Sequence, residues 1–334
     1  MARRSPKTIR FRGRNEPVLE TFRVRGRTYV ALEQMSARGA FRVYDPHAGP
    51  NGDYRALYRF SAAEISQQRV EVLRRLSGPN ANRNFPPIIE CVRSGDDYFV
   101  VLGWVWGTSL RDYFRAIRGR KTPRPSTTEV VRLMRGLVHG VGHFHRRLNM
   151  IHGDISPANI VLTSGTRQLV LVDFGSAWPI ESAATKDFGD GVTRPYAAPE
   201  RLSHHAAEDF RADAFSLAVV AYEMLTMEIP FDGLGGQAGV PHLASGLSST
   251  FCPPSQKICH PDRLPRDSRQ QLDACLRTAL AFHPDDRFGS RADWLFAWDS
   301  LHDSLKKGER LTPWERRAVR LFEFFGRCFS RRKT

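Results

Sequence analysis

The chemistry of this sequence is carried by three oxygen-bearing side chains. Asp154 and Asn159 lie in Met150-Ile151-His152-Gly153-Asp154-Ile155-Ser156-Pro157-Ala158-Asn159-Ile160-Val161-Leu162, and Asp173 ends the apolar run Leu169-Val170-Leu171-Val172. Short strands flank Asp154 and Asn159, and a further strand delivers Asp173, so the three can converge on one point. Hard oxygen donors gathered in this way suit Mg²⁺. The plain alternative is a pair of hairpins in which Asp and Asn cap turns, as these residues often do. Two further features weigh against it: Ala198-Pro199-Glu200 downstream and the apolar helical stretch that follows.

The elements that must position these residues can be read on either side. Thr127 to Arg147 has Val130, Val131, Met134, Leu137, Val138 and Phe144 at helical spacing, and this helix props the loop from below. Asp213 to Leu225 is apolar nearly all round, as in a helix buried on every side. Leu272 to Leu280 is again helical, and the glycine-rich stretch from Gly233 to about Lys257 reads as a flexible loop. Towards the N-terminus, residues 28–32, 40–44, 54–60, 88–92 and 98–102 read as strands, with Pro50-Asn51-Gly52-Asp53 as a turn. Residues 62–76 read as a helix. Residues 1–27 are Arg-rich and read as an exposed lead-in that adds an edge strand.

Together, the Asp154-to-Asn159 spacing, Asp173-Phe174-Gly175 and Ala198-Pro199-Glu200 resemble the catalytic loop, DFG motif and APE motif of Hanks-type serine/threonine protein kinases. The resemblance runs from about Thr28 to Leu301. It implies an α+β, two-lobed protein-kinase-like fold: a lead-in over 1–27, a small lobe over 28–102, a large lobe over 103–303 and a basic tail over 304–334. It also implies ATP and Mg²⁺ as cofactors and a protein hydroxyl as phosphate acceptor. Asp154 would accept the hydroxyl proton, while Asn159 and Asp173 would hold the metal. Gly39 belongs to a reduced glycine-rich loop. Val43, Ala56 and Val161 would sandwich the purine, with Leu102 as gatekeeper and Gly103, Trp104 and Val105 as hinge. Asp213 would bond the catalytic-loop backbone, and Arg287 would pair with Glu200. Thr193 stands where serine/threonine kinases place a Thr near the catalytic Asp.

The small lobe departs from the family pattern. With Ala56 aligned to the family's Val-Ala-x-Lys, Tyr58 falls at the lysine position, and no Lys occurs between Lys7 and Lys121. On the helix over 62–76, Arg69 takes the place of the expected Glu; Glu64 and Glu71 are out of register. Arg42, at or beside the third glycine position, could replace the missing lysine with a bidentate guanidinium, or be a solvated strand residue. In the catalytic loop Gly153 replaces an Arg and Ser156 replaces a Lys. Loss of these cations weakens transition-state electrostatics and keeps open a second reading, a pseudokinase that binds nucleotide or partners without catalysis. A small-molecule kinase is a third reading, against which Ala198-Pro199-Glu200, Asp213 and Arg287 weigh.

Composition sets outer bounds. The 334 residues suffice for two lobes, and 41% hydrophobic with 25% charged residues is ordinary for a globular chain. No apolar run reaches the roughly 18 residues a membrane helix needs, and the cysteines form no C-x-x-C pair, which suits free thiols and a cytoplasmic setting. The net charge of +15 comes mainly from Arg, with no nucleic-acid-binding signature beside it, so no specific nucleic acid is expected. From Leu311 to Thr334, Trp314, Leu321, Phe322, Phe325 and Phe329 share a helical face amid arginines. This tail would dock on the large lobe or contact an anionic membrane peripherally.

Overall fold

Alternating apolar and polar side chains draw the first third of the chain into antiparallel strands, each with one face for a core. The computed structural model describes residues 8–11, 13–36, 39–63, 65, 70, 82–180, 192–203, 209–244, 250–259 and 264–310. Two units divide the chain, Met1–Trp106 and Gly107–Thr334. The helix expected over 62–76, with Glu64, Arg69 and Glu71, lies outside the described residues apart from isolated positions. The tail over 311–334 lies outside them as well.

The first unit opens with a hairpin, β1 (Thr8–Phe11) against β2 (Arg14–Pro17). A six-stranded antiparallel sheet follows: β3 (Glu20–Val24), β4 (Arg27–Ser36), β5 (Ala40–Asp45), β6 (Asp53–Ser61), β7 (Ile88–Ser94) and β8 (Asp97–Gly103), in the order β3-β4-β5-β6-β8-β7. The edge strand expected in the lead-in is β3. The rest of that expectation needs correcting, because the hairpin is not a free lead-in: Phe11 is buried among aromatic rings of the sheet. The sheet's two faces differ. Phe22, Phe41, Val43, Leu57, Phe99 and Val101 belong to the core packed on one face. The strand alternation puts Arg42, Tyr44, Tyr54, Ala56, Tyr58 and Leu102 on the other, where Phe11, Leu32 and Tyr54 form a second cluster.

In the second unit, β9 (Gly107–Ser109), β11 (Ile160–Thr163) and β12 (Leu169–Leu171) make a sheet in the order β12-β11-β9, and β10 (Met150–Ile151) pairs with β13 (Trp178–Pro179). Helices supply the bulk: α1 (Leu110–Arg118), α2 (Thr127–Leu148), α3 (Pro199–Ser203), α4 (Phe210–Thr226), α5 (Pro241–Ala244), α6 (Arg266–Ala279) and α7 (Arg291–Arg310). The start of α2 is set by Ser126, whose side chain accepts from the Glu129 N–H, and its end by Asn149 in the left-handed conformation at φ 52°. From Ala212 to Thr226 every residue of α4 is buried, which explains its apolar circumference. Trp294 of α7 stacks on His145 of α2, with centroids 6.1 Å apart.

The segment from Gly233 is more ordered than its glycines suggest. A 3-10 turn over Gly235–Gly239 leads into α5, and the Gly236 N–H donates to the Pro195 carbonyl at 3.0 Å. A Cβ at Gly236 would run into the Ala197 carbonyl, so here glycine serves close backbone packing, not mobility. No described helix is long and apolar enough to cross a membrane.

Candidate active site

The loop between β10 and β11 is built around a buried carboxylate. Asp213, near the start of α4, accepts the backbone N–H of His152 at 2.7 Å, that of Gly153 at 2.9 Å and the His145 Nε2 at 2.7 Å. Burial alone would raise its pKa, but the hydrogen bond and charge of His145, with the His152 backbone N–H, hold it below the usual carboxylate value. The same burial pushes His152 below the ordinary histidine value, against the pull of Asp213, Asp173 and Asp154. The Asp154 N–H points to His152 Nδ1 at 3.4 Å.

Asp154 is thereby aimed and then pinned on both oxygens. Its Oδ1 accepts from the Thr193 backbone N–H and from Thr193 Oγ1, each at 2.9 Å. Asn159 Nδ2 donates to Asp154 Oδ2 at 3.0 Å and to the Asp154 carbonyl at 2.9 Å. Both amide hydrogens of Asn159 are thus engaged, and its Oδ1 faces no such demand.

Asp173 is carried to the same neighbourhood by the sheet. The Val172 N–H donates to the Asn159 carbonyl at 2.8 Å, which fixes the end of β12 beside the loop. Asp173 takes a left-handed backbone, φ 66°, and its Oδ1 accepts the Gly175 N–H at 2.9 Å. Phe174 turns inward and stacks on Phe144 at 6.1 Å. The Asn159 amide oxygen and an Asp173 carboxylate oxygen form a hard donor pair that fits Mg²⁺, an ion that keeps several waters and needs only one or two protein carboxylates. Among the described residues no cluster of three or more His, Cys, Asp or Glu stands ready to cage a metal.

Two further anchors hold the segment after Thr193. Arg287 and Glu200 form a buried bidentate pair, 2.7 and 2.8 Å, and the guanidinium lies 4.8 Å over the Phe215 ring. Tyr196 donates to Glu223 at 2.6 Å, and Arg118 reaches the same carboxylate at 2.5 Å. Sequence reasoning did not find the Tyr196–Glu223–Arg118 group, whose members lie far apart in the chain. Nor did it find Arg201. A Cβ added at Gly153, where φ is +80°, would lie 2.9 Å from Arg201 Nη1. A guanidinium from α3 therefore sits beside the position that lacks the family's loop arginine.

The expected site residues of the first unit are arranged otherwise than the sequence suggested. Ala56 pairs with Arg42 on one side and Leu102 on the other, so these three share a face. Val43 does not. It pairs with Arg55 and is fully buried in the opposite core, because a one-residue step reverses a strand side chain. Tyr44 takes its place on the Ala56 face. Arg42 is no bare cation: Glu16 binds it through Nη1 and Nη2 at 3.3 and 2.9 Å, and Glu33 through Nε at 3.0 Å. Arg59 points to the face away from Ala56, as the alternation predicts, with its guanidinium over Phe22 and Phe41. Gly39, at φ +82°, lies against the Arg59 carbonyl where a Cβ would collide. The Gly103 N–H bonds the Pro87 carbonyl at 2.8 Å, Trp104 packs edge-on to Tyr54, and Val105 is half-buried between Trp104 and Trp106 in the chain. Val161, on β11 of the other unit, pairs with Val170 and Ser109.

A helical unit whose buried Asp organises a His-x-Asp loop, with a carboxylate strand-end beside it and a Glu–Arg lock behind, defines the protein-kinase class. The comparisons agree. The protein kinase domain family model matches residues 61–292, and the chain belongs to that family. Its α+β, protein-kinase-like fold is shared with solved structures. The PknI kinase domain of Mycobacterium tuberculosis matches with TM-score 0.54 and 25% identity over 82% of this chain and 96% of that one. The PK-1 kinase of the Cydia pomonella granulovirus matches with TM-score 0.60 at 17% identity, covering 80% and 92%, a likeness of fold alone. Among curated proteins, the serine/threonine-protein kinase PknB of Mycolicibacterium smegmatis is 30% identical over 203 residues, 58% of this chain and 29% of the relative. The tyrosine-protein kinase MasK of Myxococcus xanthus is 29% identical over 253 residues, 73% and 35%. The chain thus spans about a third of the length of these relatives.

Proposed function

We propose that this chain is an ATP- and Mg²⁺-dependent protein kinase that phosphorylates Ser or Thr hydroxyls. The observation that carries the reading is the pinned carboxylate of Asp154, held by Asn159 on one oxygen and by Thr193 on the other. So fixed, Asp154 can accept the proton of an incoming hydroxyl without first reorganising. Asn159 and Asp173 would hold Mg²⁺, which when bound offsets the charge of the phosphates. Thr193 supports the choice of Ser/Thr acceptors, since its hydroxyl already engages the base. Among the described residues Cys91, Cys252, Cys259 and Cys275 form no disulfide, which suits a cytoplasmic setting.

The small-lobe cation favours a second reading. Tyr58 stands at the lysine position and Arg42 is neutralised by two carboxylates, an arrangement that suits a nucleotide- or partner-binding scaffold. One experiment separates them: transfer of labelled phosphate from ATP to a generic acceptor protein, comparing wild type with Asp173→Asn and Asp154→Ala. Transfer by the wild type that both substitutions abolish supports the kinase. Nucleotide binding without any transfer supports the scaffold.

A further inference from the structure

The first unit contains an arrangement the proposed reaction does not use. The β1–β2 hairpin lies on the sheet face that carries Ala56 and Leu102. Phe11 stands against the rings of Tyr44 and Tyr54, with centroids 4.9 and 4.8 Å away. Tyr54 in turn meets Trp106 at 5.4 Å, so the aromatic contacts run on into the segment read as the hinge. From β2, Glu16 binds Arg42 with both carboxylate oxygens and takes the Tyr54 hydroxyl at 2.8 Å. The Arg42 guanidinium also lies 4.9 Å over the Tyr54 ring.

We propose that this hairpin is an autoinhibitory cap: docked, it covers the Ala56 face and occupies Arg42, and it must lift before a nucleoside triphosphate can bind there. The inference rests on the reading above that this face receives nucleotide. Its physical basis is mutual exclusion. Arg42 presents Nε to Glu33 and its Nη atoms to Glu16, so a phosphate can take the bidentate Nη1/Nη2 edge of the guanidinium only by displacing Glu16. With Glu16 and Glu33 both on its guanidinium, and Arg14 of β2 also acting on Glu16, Arg42 has its charge compensated and offers little attraction to a polyanionic ligand until Glu16 leaves. Burial disfavours a charged Glu16, but the hydrogen bonds from Tyr54 and Arg42 prevail and keep its pKa below the usual value, so the pair is intact at neutral pH.

The hairpin is also suited to leaving. An isolated two-stranded hairpin is marginally stable in water, so its position depends on its contacts with the sheet, Ile9 and Phe11 in the cluster with Leu32 and Tyr54 and Glu16 on Arg42 among them. Phe11 and Glu16 supply the main ones. A ligand that binds only the uncapped form has its affinity divided by the uncapped fraction, so a cap docked nine-tenths of the time weakens binding about tenfold.

The test uses the full chain and calorimetric titration with a non-hydrolysable ATP analogue and Mg²⁺. Glu16→Gln and Phe11→Ser, each checked for an intact melting transition, are expected to bind about tenfold more tightly than wild type. Equal or weaker binding by both variants overturns the cap and leaves the nucleotide reading standing. No binding by any of the three proteins overturns both. A second measurement needs no substitution: trypsin cleavage after Arg10 and Arg14 in wild type should accelerate when the analogue saturates the protein. An unchanged cleavage rate under saturation overturns the cap on its own.

Discussion

The two units preserve their family pattern at different levels. In Gly107–Thr334 the side chains themselves are kept: Asp213 takes the loop backbone, Arg287 pairs with Glu200, and Asp154 is held by Asn159 and Thr193. In Met1–Trp106 the backbone is kept and the side chains are not. The strands pair as expected, yet Tyr58 stands where the sequence reading expects a lysine, Arg42 is held by acids and the β1–β2 hairpin packs on the sheet face. The difference shows where constraint acts. A proton acceptor and metal donors must be placed to a fraction of an ångström, whereas a sheet keeps its register through any side chains that alternate properly.

Five substitutions would break or sharpen this contrast. The largest effect belongs to Asp154→Ala, which should lower labelled-phosphate transfer by about a thousandfold with the melting transition preserved, the size expected for a lost general base. Transfer at the wild-type rate would end the claim that the second unit keeps its chemistry.

Asp213→Asn comes next. It replaces a charged acceptor of three hydrogen bonds in a fully buried site, and the loss should be about 3–5 kcal/mol by denaturant melting. Because the folded pKa of Asp213 is depressed, its contribution is present above the unfolded carboxylate value and disappears as pH falls through the folded one. Wild type should therefore lose stability steeply under acid, and the variant should lose that component. Identical acid profiles would mean that Asp213 does not organise the loop.

A third pair tests the sheet faces. Val43→Ala should cost about 2 kcal/mol of stability, as a buried core truncation, and leave analogue affinity unchanged. Tyr44→Ala should change affinity instead, since Tyr44 shares the Ala56 face. If Val43→Ala alone altered affinity, the assignment of faces would be reversed. The smallest effect is Gly153→Ala, at about 1–2 kcal/mol for an L-residue at positive φ, with Arg201 forced to shift. A melting temperature equal to wild type would show that neither the backbone nor Arg201 requires glycine there.

Much of the second unit was legible because its signals are local. The helix from Thr127 to Arg147, the apolar one from Asp213 to Leu225 and the strand ending in Asp173 can each be read within a single window. The expectation that Val43 and Ala56 share a face failed for the opposite reason. With period-two side chains, a one-residue offset in matching Gly39-Ala40-Phe41-Arg42-Val43 to a motif puts two expected neighbours on opposite sides of the sheet. The ordered Gly235–Gly239 turn was missed for a related reason: glycine signals freedom in sequence, and only the neighbouring carbonyls reveal tight packing.

What the sequence determined by itself is therefore the class of protein and much of the strand and helix order, together with the candidate acid and amide side chains of the loop, since these follow from residue type and short spacing. Tertiary structure alone decided that Glu16 meets Arg42, that Phe11 covers the Tyr54 face and that Arg201 lies beside Gly153. Each joins residues far apart in the chain. Such pairs carry no periodic signature, because their meeting depends on how sheet faces and helix ends pack after the local elements have formed.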